Sequence, residues 1–316
     1  MKKNDVIFGP LMTRRLGLSL GIDLVPAKTC NMNCIYCECG ATTCFTNKEI
    51  SIITPEIIQE ELHAKKHLLI DTDYITLTAS GEPTLNPFID DIIAVIRTIT
   101  DKPIALITNA SLLNRNEVRE KIKTIEVSLP SLDSAVKSTF RKINKPHRDL
   151  KIDTIIEGIK ELCELGKPAV WLEIMLVKDI NDNEKEMHAL KEAVHYIKPH
   201  RVQINTPVRP GTSAKALPLM YEELIWLSNQ LDYLYEIVSY AKRGSSVSSV
   251  SSHKIRADEI AFVFNMLKRR PMTVNHLKHS SKLDFQQLYP IIEHLLSTSS
   301  IQKIIKGNET YYFKNQ

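Results

Sequence analysis

Five of the six cysteines crowd into fifteen residues, at Cys30, Cys34, Cys37, Cys39 and Cys44, while Cys163 stands alone on an amphipathic stretch. In a reducing compartment such crowding points to metal binding rather than disulfides. The core of the group is Cys30-Asn-Met-Asn-Cys34-Ile-Tyr-Cys37, set just past the end of the first apolar β-like run. Thiolates four and three residues apart on a tight loop can each take a different corner of a cubic iron-sulfur cluster. A fully ligated cluster needs four cysteines, so three leave one iron open to a ligand. A zinc site drawn from four of the five is the alternative, although zinc knuckles usually use two separated pairs. Cys163 fits a small buried hydrophobe.

Loop cysteines need a scaffold, and the pattern around them supplies one. Strand-like runs at 18–25, 74–78, 104–108, 124–129, 169–177 and 201–205 alternate with helical periodicity at 55–65, 88–99, 152–165 and 184–197, and a last helix is expected from Tyr221 to about Tyr240. Strand-helix units in succession predict an α/β fold with a parallel sheet, either an open doubly wound sheet or a full or partial (β/α)6 TIM-type barrel. In both architectures, loops at the carboxyl ends of strands build the site. Several chemistry-bearing groups sit there. Ser80-Gly81-Glu82-Pro83 follows the second strand, with Gly81 allowing close backbone approach and Glu82 offering an acceptor for a cationic amino group. Thr108-Asn109-Ala110 closes the third strand, and the run from Ser128 to Asp133 closes the fourth with hydroxyl and carboxylate groups of the kind that hold a ribose; taken singly, each also fits a turn or helix cap. Glu173 lies inside an apolar strand and needs a partner if buried.

Composition is that of an ordinary globular protein: 316 residues, 43% hydrophobic and 25% charged. No apolar run approaches the roughly 18 residues of a membrane span, and Asp23 and Lys28 interrupt the stretch that an export signal would need. A cytoplasmic protein without a membrane partner is expected. The net charge of +4 is unevenly spread, because residues 253–316 hold ten Lys and Arg against five Asp and Glu. A serine-rich stretch at 244–252 reads as a linker between a large domain, 1–243, and this small basic one, 253–316. The small one is expected to contain three helices, then two β runs around Lys306-Gly-Asn-Glu309, the arrangement of a winged helix.

The Cys-x3-Cys-x2-Cys motif with an aromatic before its last cysteine resembles the signature of the radical S-adenosylmethionine superfamily. Ser80-Gly81-Glu82-Pro83 falls where that superfamily has its Gly-Gly-Glu motif. The resemblance implies a 4Fe-4S cluster on Cys30, Cys34 and Cys37, with the amino and carboxylate groups of S-adenosyl-L-methionine on the open iron. It places Tyr36 against the adenine, and Ser80, Gly81, Glu82, Asn109 and Ser128 among the residues that hold the cofactor. It also implies an enzyme that takes one electron from a flavodoxin- or ferredoxin-type donor, cleaves S-adenosylmethionine to a 5′-deoxyadenosyl radical and abstracts hydrogen from a substrate. Gly9-Pro10, Arg14-Arg15-Leu16-Gly17, Arg141 to His147, Asn181-Asp182 and Asn205 to Pro210 are similar to a group of iron-sulfur oxidoreductases related to 4-demethylwyosine synthase, which acts on tRNA. Two departures stand out: no cysteine precedes Cys30 to bind a second cluster, and no flavodoxin-like module is present. Three readings stay open: tRNA modification, modification of a protein or peptide, and a non-enzymatic sensor with a DNA-binding tail. Arg14, Arg15, Lys28, Arg141, Lys142, His147 and Arg209 are the cations near strand ends that phosphate or carboxylate could meet.

Overall fold

A computed structural model describes residues 6–78, 80–239, 256–281, 283–306 and 309–314. The serine-rich stretch 244–252 lies outside them. The first element, β1 (Ile7–Thr13), turns back through Arg14 and Arg15 into β2 (Gly17–Asp23), with which it pairs antiparallel. The cysteine loop follows, carrying the short strands β3 (Thr29–Cys30) and β4 (Cys44–Phe45). Then come α1 (Pro55–Ala64), β5 (Tyr74–Thr78), α2 (Ile89–Ile99), β6 (Ile104–Thr108), α3 (Asn116–Ile122), β7 (Val127–Pro130), α4 (Lys137–Ile143), α5 (Ile152–Glu164), β8 (Ala169–Met175), α6 (Glu184–Ile197) and β9 (Arg201–Asn205).

The expected long helix after β9 is instead a short one, α7 (Tyr221–Asn229), followed by a strand, β10 (Tyr235–Ile237), parallel to β9. Asp232 has φ 51°, a left-handed turn that ends helical geometry. The run Tyr-Leu-Tyr-Glu-Ile-Val beyond it is aromatic and β-branched, a composition that suits an extended chain.

The eight-stranded sheet runs β1-β2-β5-β6-β7-β8-β9-β10, and every pair after β1-β2 is parallel. The order never reverses, as it would at the switch point of a doubly wound sheet, so same-handed crossovers carry successive helices to one face. This is a partial barrel, open between β1 and β10.

Register shows how sharply the two faces differ, because alternate residues of a strand point to opposite sides. Leu20 and Ile22, Ile75 and Leu77, Ile104 and Leu106, Leu172 and Ile174, and Val202 and Ile204 share the helix-covered face and join one large core with Ile92, Ile96, Ile155, Ile159, Leu190 and Val194. The opposite, concave face carries Ser19, Thr76, Glu173, Gln203 and Asn205, relieved by a small apolar group of Leu16, Ala105, Val127 and Leu129. Half of each strand therefore builds stability and the other half remains available for polar chemistry.

The C-terminal segment comprises α8 (Ala257–Arg269), α9 (Val274–Ser280), α10 (Phe285–Ser297) and the antiparallel pair β11 (Gln302–Lys306) and β12 (Glu309–Phe313), close to the expected positions. Its apolar cluster, with Val263, Leu267, Leu277, Leu288 and Ile291, takes in Leu11 and Phe8 of β1. Arg269 lies 3.6 Å over the Phe8 ring and pairs with Asp23 at the end of β2. Among the described residues no helix is long and apolar enough to cross a membrane.

Gly158 on α5 meets the backbone of Leu113 and Asn114, where a Cβ would overlap main-chain atoms that cannot rotate away. Gly158→Ala should therefore destabilise the fold by about 1–3 kcal/mol, the usual penalty of overpacking. Thermal unfolding checks this, and an unchanged Tm would contradict the close approach.

Candidate active site

The cysteine loop, residues 28–46, makes little regular structure of its own and is held by segments that return from elsewhere in the chain. Thr29-Cys30 pairs with Cys44-Phe45, closing the loop at its base. Asn33 N donates to the Asn144 carbonyl at 3.0 Å, Ile35 N to that of Ile143 at 2.9 Å, and His147 N to that of Asn31 at 2.8 Å. From the other side, Thr212 Oγ1 donates to the Cys34 carbonyl at 2.8 Å and Ser213 N to that of Ile35 at 3.0 Å. Gly211 comes so near Tyr36 that a Cβ would overlap the tyrosine backbone. Gly81 likewise packs on the Thr29 carbonyl, where a side chain has no room. Its close approach is to the loop itself, whereas the sequence suggested one to a ligand.

The thiols sit in a setting that refuses bare negative charge. Burial, with Glu82 and Cys37 nearby, pushes the Cys30 thiol up to about 12. Burial also raises Cys34, with Asp133 and Cys37 adding to the effect. Cys37 moves the other way, because the Cys39 thiol hydrogen-bonds to it. Amide donors point at two of the sulfurs: Asn109 Nδ2 at 3.6 Å from Cys30 and Asn144 Nδ2 at 3.5 Å from Cys34. Such a donor set suits thiolates neutralised by a bound cationic group. Among the described residues no three His, Cys, Asp or Glu side chains converge as on a single metal ion.

Glu82 is 1% exposed, and its carboxylate is engaged by the protein itself. Oε1 accepts from Thr84 N at 3.0 Å and from the hydroxyls of Thr84 and Thr108, both at 2.6 Å; Oε2 accepts from Asn109 N at 2.7 Å. Burial still raises its pKa against these bonds. A carboxylate oxygen has two acceptor sites, so Oε2 keeps capacity for one more donor. Tyr36 donates through its hydroxyl to Asp133 Oδ2 at 2.5 Å, the same oxygen that receives Asn144 Nδ2 at 2.5 Å. Tyr36, Asn109, Ser131, Asp133 and Asn144 line one small cavity. Ser80 contributes its carbonyl, which accepts from Lys28 N. Ser128 stands apart: it pairs in register with Leu106 on the helix-covered face and is buried with its hydroxyl unpartnered among the described residues. Glu173 faces the concave side as its burial requires, paired with Arg15 and accepting from Asn205 Nδ2 at 2.9 Å.

Two residues of weight here were not singled out by sequence reasoning. Asn144 bridges Cys34 and Asp133, and its only sequence signal is membership of the Arg141-to-His147 run. Glu38, directly after Cys37, accepts hydrogen bonds from Arg209 Nη1 on both carboxylate oxygens, at 3.0 and 2.9 Å. Burial alone would raise its pKa, but Arg209 and then Arg270 hold it below the usual carboxylate range. Beside the loop opens a cavity of about 730 Å³ lined by Asn33, Thr42, Phe45, Arg141, Lys145 and His147, with Arg148 at its edge. Phe45 lies 5.5 Å from the His147 ring.

The family model for the radical SAM superfamily matches residues 24–191, more than half of the chain, and the chain belongs to that superfamily. It is therefore an enzyme of a class that uses a 4Fe-4S cluster and S-adenosylmethionine. A UPF0026 protein of Methanocaldococcus jannaschii is 29% identical over 315 residues, covering 98% of this chain and 96% of that one. A Brachyspira hyodysenteriae protein named GTPase Obg is 33% identical over 313 residues, covering 98% of this chain but 45% of its own, so the chain spans less than half of that relative. Among solved structures, that of TYW1 with a lysine-pyruvate adduct bound shares the fold, with TM-score 0.50 and 20% identity over 71% of this chain and 75% of that one.

Asp133 yields a test of the site's electrostatics. Burial pushes its pKa up to about 6 from the ordinary 3.8, so the fold binds that proton more tightly than the open chain does. Asp133 thus subtracts stability as pH rises through this window. Unfolding of the cluster-free protein between pH 4 and 6.5 should show a smaller loss of Tm with rising pH in Asp133→Asn than in the parent; equal slopes would refute the raised pKa.

Proposed function

We propose that Cys30, Cys34 and Cys37 hold the 4Fe-4S cluster, that S-adenosylmethionine binds beside it, and that the substrate attacked is tRNA. When bound, the cluster and S-adenosylmethionine supply reductive carbon-sulfur cleavage and a hydrogen-abstracting 5′-deoxyadenosyl group, after one electron arrives from a flavodoxin- or ferredoxin-type donor. The chain's own residues orient and shield. Glu82 Oε2, with acceptor capacity to spare, is the group for the methionine amino nitrogen. Tyr36, fixed through Asp133, and Asn109, fixed through Asn31 at 2.8 Å, are placed to meet the nucleoside. Burial of the site keeps water from the reactive species.

The observation that carries the tRNA reading is the open basic groove. Arg141, Lys145, His147 and Arg148 gather around the exposed Phe45 directly beside the cluster loop. Cations interleaved with an aromatic ring are what phosphates and an unstacked base would meet. The charge of residues 253–316, which we read as a winged-helix-like module, supports the same partner.

On anaerobically reconstituted protein with dithionite and S-adenosylmethionine, 5′-deoxyadenosine should form and should rise with total tRNA. Cys34→Ala should abolish both the cluster spectrum and the product. The double variant Arg141→Gln/Arg148→Gln should keep basal cleavage and lose most of the stimulation. Product that tRNA leaves unchanged would shift the substrate to a peptide, and an intact cluster without product would favour the sensor.

A further inference from the structure

A second group of basic residues meets the cluster loop at Glu38, where four distant segments come together. Arg14 comes from the β1-β2 turn, Arg209 from the loop after β9, and Arg270 from the residue that caps α8. All three lie within electrostatic reach of Glu38, and of one another. The loop carrying Arg209 is braced from the C-terminal hairpin: Tyr311 Oη donates to the Val208 carbonyl at 2.5 Å, and Lys306 Nζ donates to those of Pro207 at 3.4 Å and Arg209 at 3.2 Å.

The charges in this nest do not balance. Three guanidinium groups face one carboxylate, and that carboxylate is consumed by Arg209 through Nη1. Arg209 Nε is buried without a hydrogen-bond partner. Among the described residues neither Arg14 nor Arg270 has a hydrogen bond or ion pair. Burial, followed by the neighbouring Arg209, lowers the Arg270 pKa to about 10 against the opposing pull of Glu38 and Cys39, as expected of a cation only partly compensated. Arg14 is exposed and Arg270 half-buried, so a ligand has a way in. The guanidinium surplus is two positive charges, with Lys306 adding to it from the C-terminal hairpin, and a phosphate monoester carries close to two negative ones at neutral pH. Guanidinium forks match its oxygens in pairs, which a lysine cannot do.

From this geometry we infer that Arg14, Arg209 and Arg270 form a phosphate-binding subsite for the substrate, completed by the C-terminal segment through Arg270. The subsite adjoins Cys37 through Glu38, so a substrate anchored there by a phosphate presents the rest of its body to the hydrogen-abstracting centre. The inference rests on the proposed placement of the cluster but not on tRNA being the substrate.

The test uses the full-length reconstituted protein and three probes in separate titrations: inorganic phosphate, adenosine 5′-monophosphate and S-adenosylmethionine. Arg270→Gln and Arg14→Gln should each weaken binding of both phosphate probes at least tenfold, with S-adenosylmethionine affinity within twofold of the parent. Arg14 is exposed, so its variant stays informative if packing suffers at Arg270. Lys123→Gln, an exposed cation at the end of α3 that lines neither site, should leave phosphate-probe affinity unchanged. Three results would overturn the inference: no phosphate binding by the parent, phosphate affinity within twofold of the parent in both arginine variants, or a matching fall in S-adenosylmethionine affinity, which would assign the arginines to the carboxylate of that cofactor. Arginine-dependent phosphate binding with no tRNA stimulation would uphold the subsite while removing the tRNA reading; tRNA stimulation with phosphate binding indifferent to Arg14 and Arg270 would do the reverse.

Discussion

Three partly buried thiols on one loop are the constraint to which the remaining structure answers. Sulfur in a dry setting stays protonated unless a cation compensates it, and the loop between Thr29 and Cys44 has too few backbone bonds of its own to fix three sulfurs in space. The protein solves this by bringing segments from far along the chain to grip it. Ile143 and Asn144 hold one flank, Gly211 to Ser213 the other, and Gly81 closes from beneath with no side chain to obstruct it. Asn109 and Asn144 then direct amide hydrogens toward sulfur from ends of elements more than seventy residues away. Each contact is modest alone, and the accuracy of the site comes from their number.

The sheet makes this affordable by separating two tasks. Period-two alternation sends one set of side chains, apolar but for Ser128 and a few others, against the helices, while the other set can include Glu173, Gln203 and Asn205 without loss of the core. Arg15, Glu173 and Asn205 on the concave face then satisfy one another, although the buried Gln203 Oε1 has no hydrogen-bond partner among the described residues.

Much of this was legible in the sequence. The strands from β5 to β9 and their helices announce themselves through periodicity, and the cysteine spacing with Gly81-Glu82 gives the chemistry. What was not legible depends on register and on long-range meeting. Nothing local to Ser128 says that it points at Leu106 and the helices. Nothing near Asn144 says that its amide reaches Cys34, and Arg270 lies 232 residues from Glu38 in the chain. The strand β10 was hidden because its aromatic and aliphatic residues also satisfy a helical count, and only the left-handed Asp232 breaks the tie. The antiparallel β1 was hidden by its Gly9-Pro10 irregularity, which interrupts the alternation.

The docking of α8 to α10 on β1 has a further meaning. β1 is the terminal strand of an open sheet, and such a strand displays unpaired backbone groups that another chain can use. With Phe8 under Arg269 and Leu11 inside the C-terminal cluster, that border is clad in helix. A chain cut at the serine-rich stretch would bare a ready template for self-association along with the apolar patch around Phe8 and Leu11. The segment that looks in sequence like a detachable module thus also serves as the guard rail of the barrel.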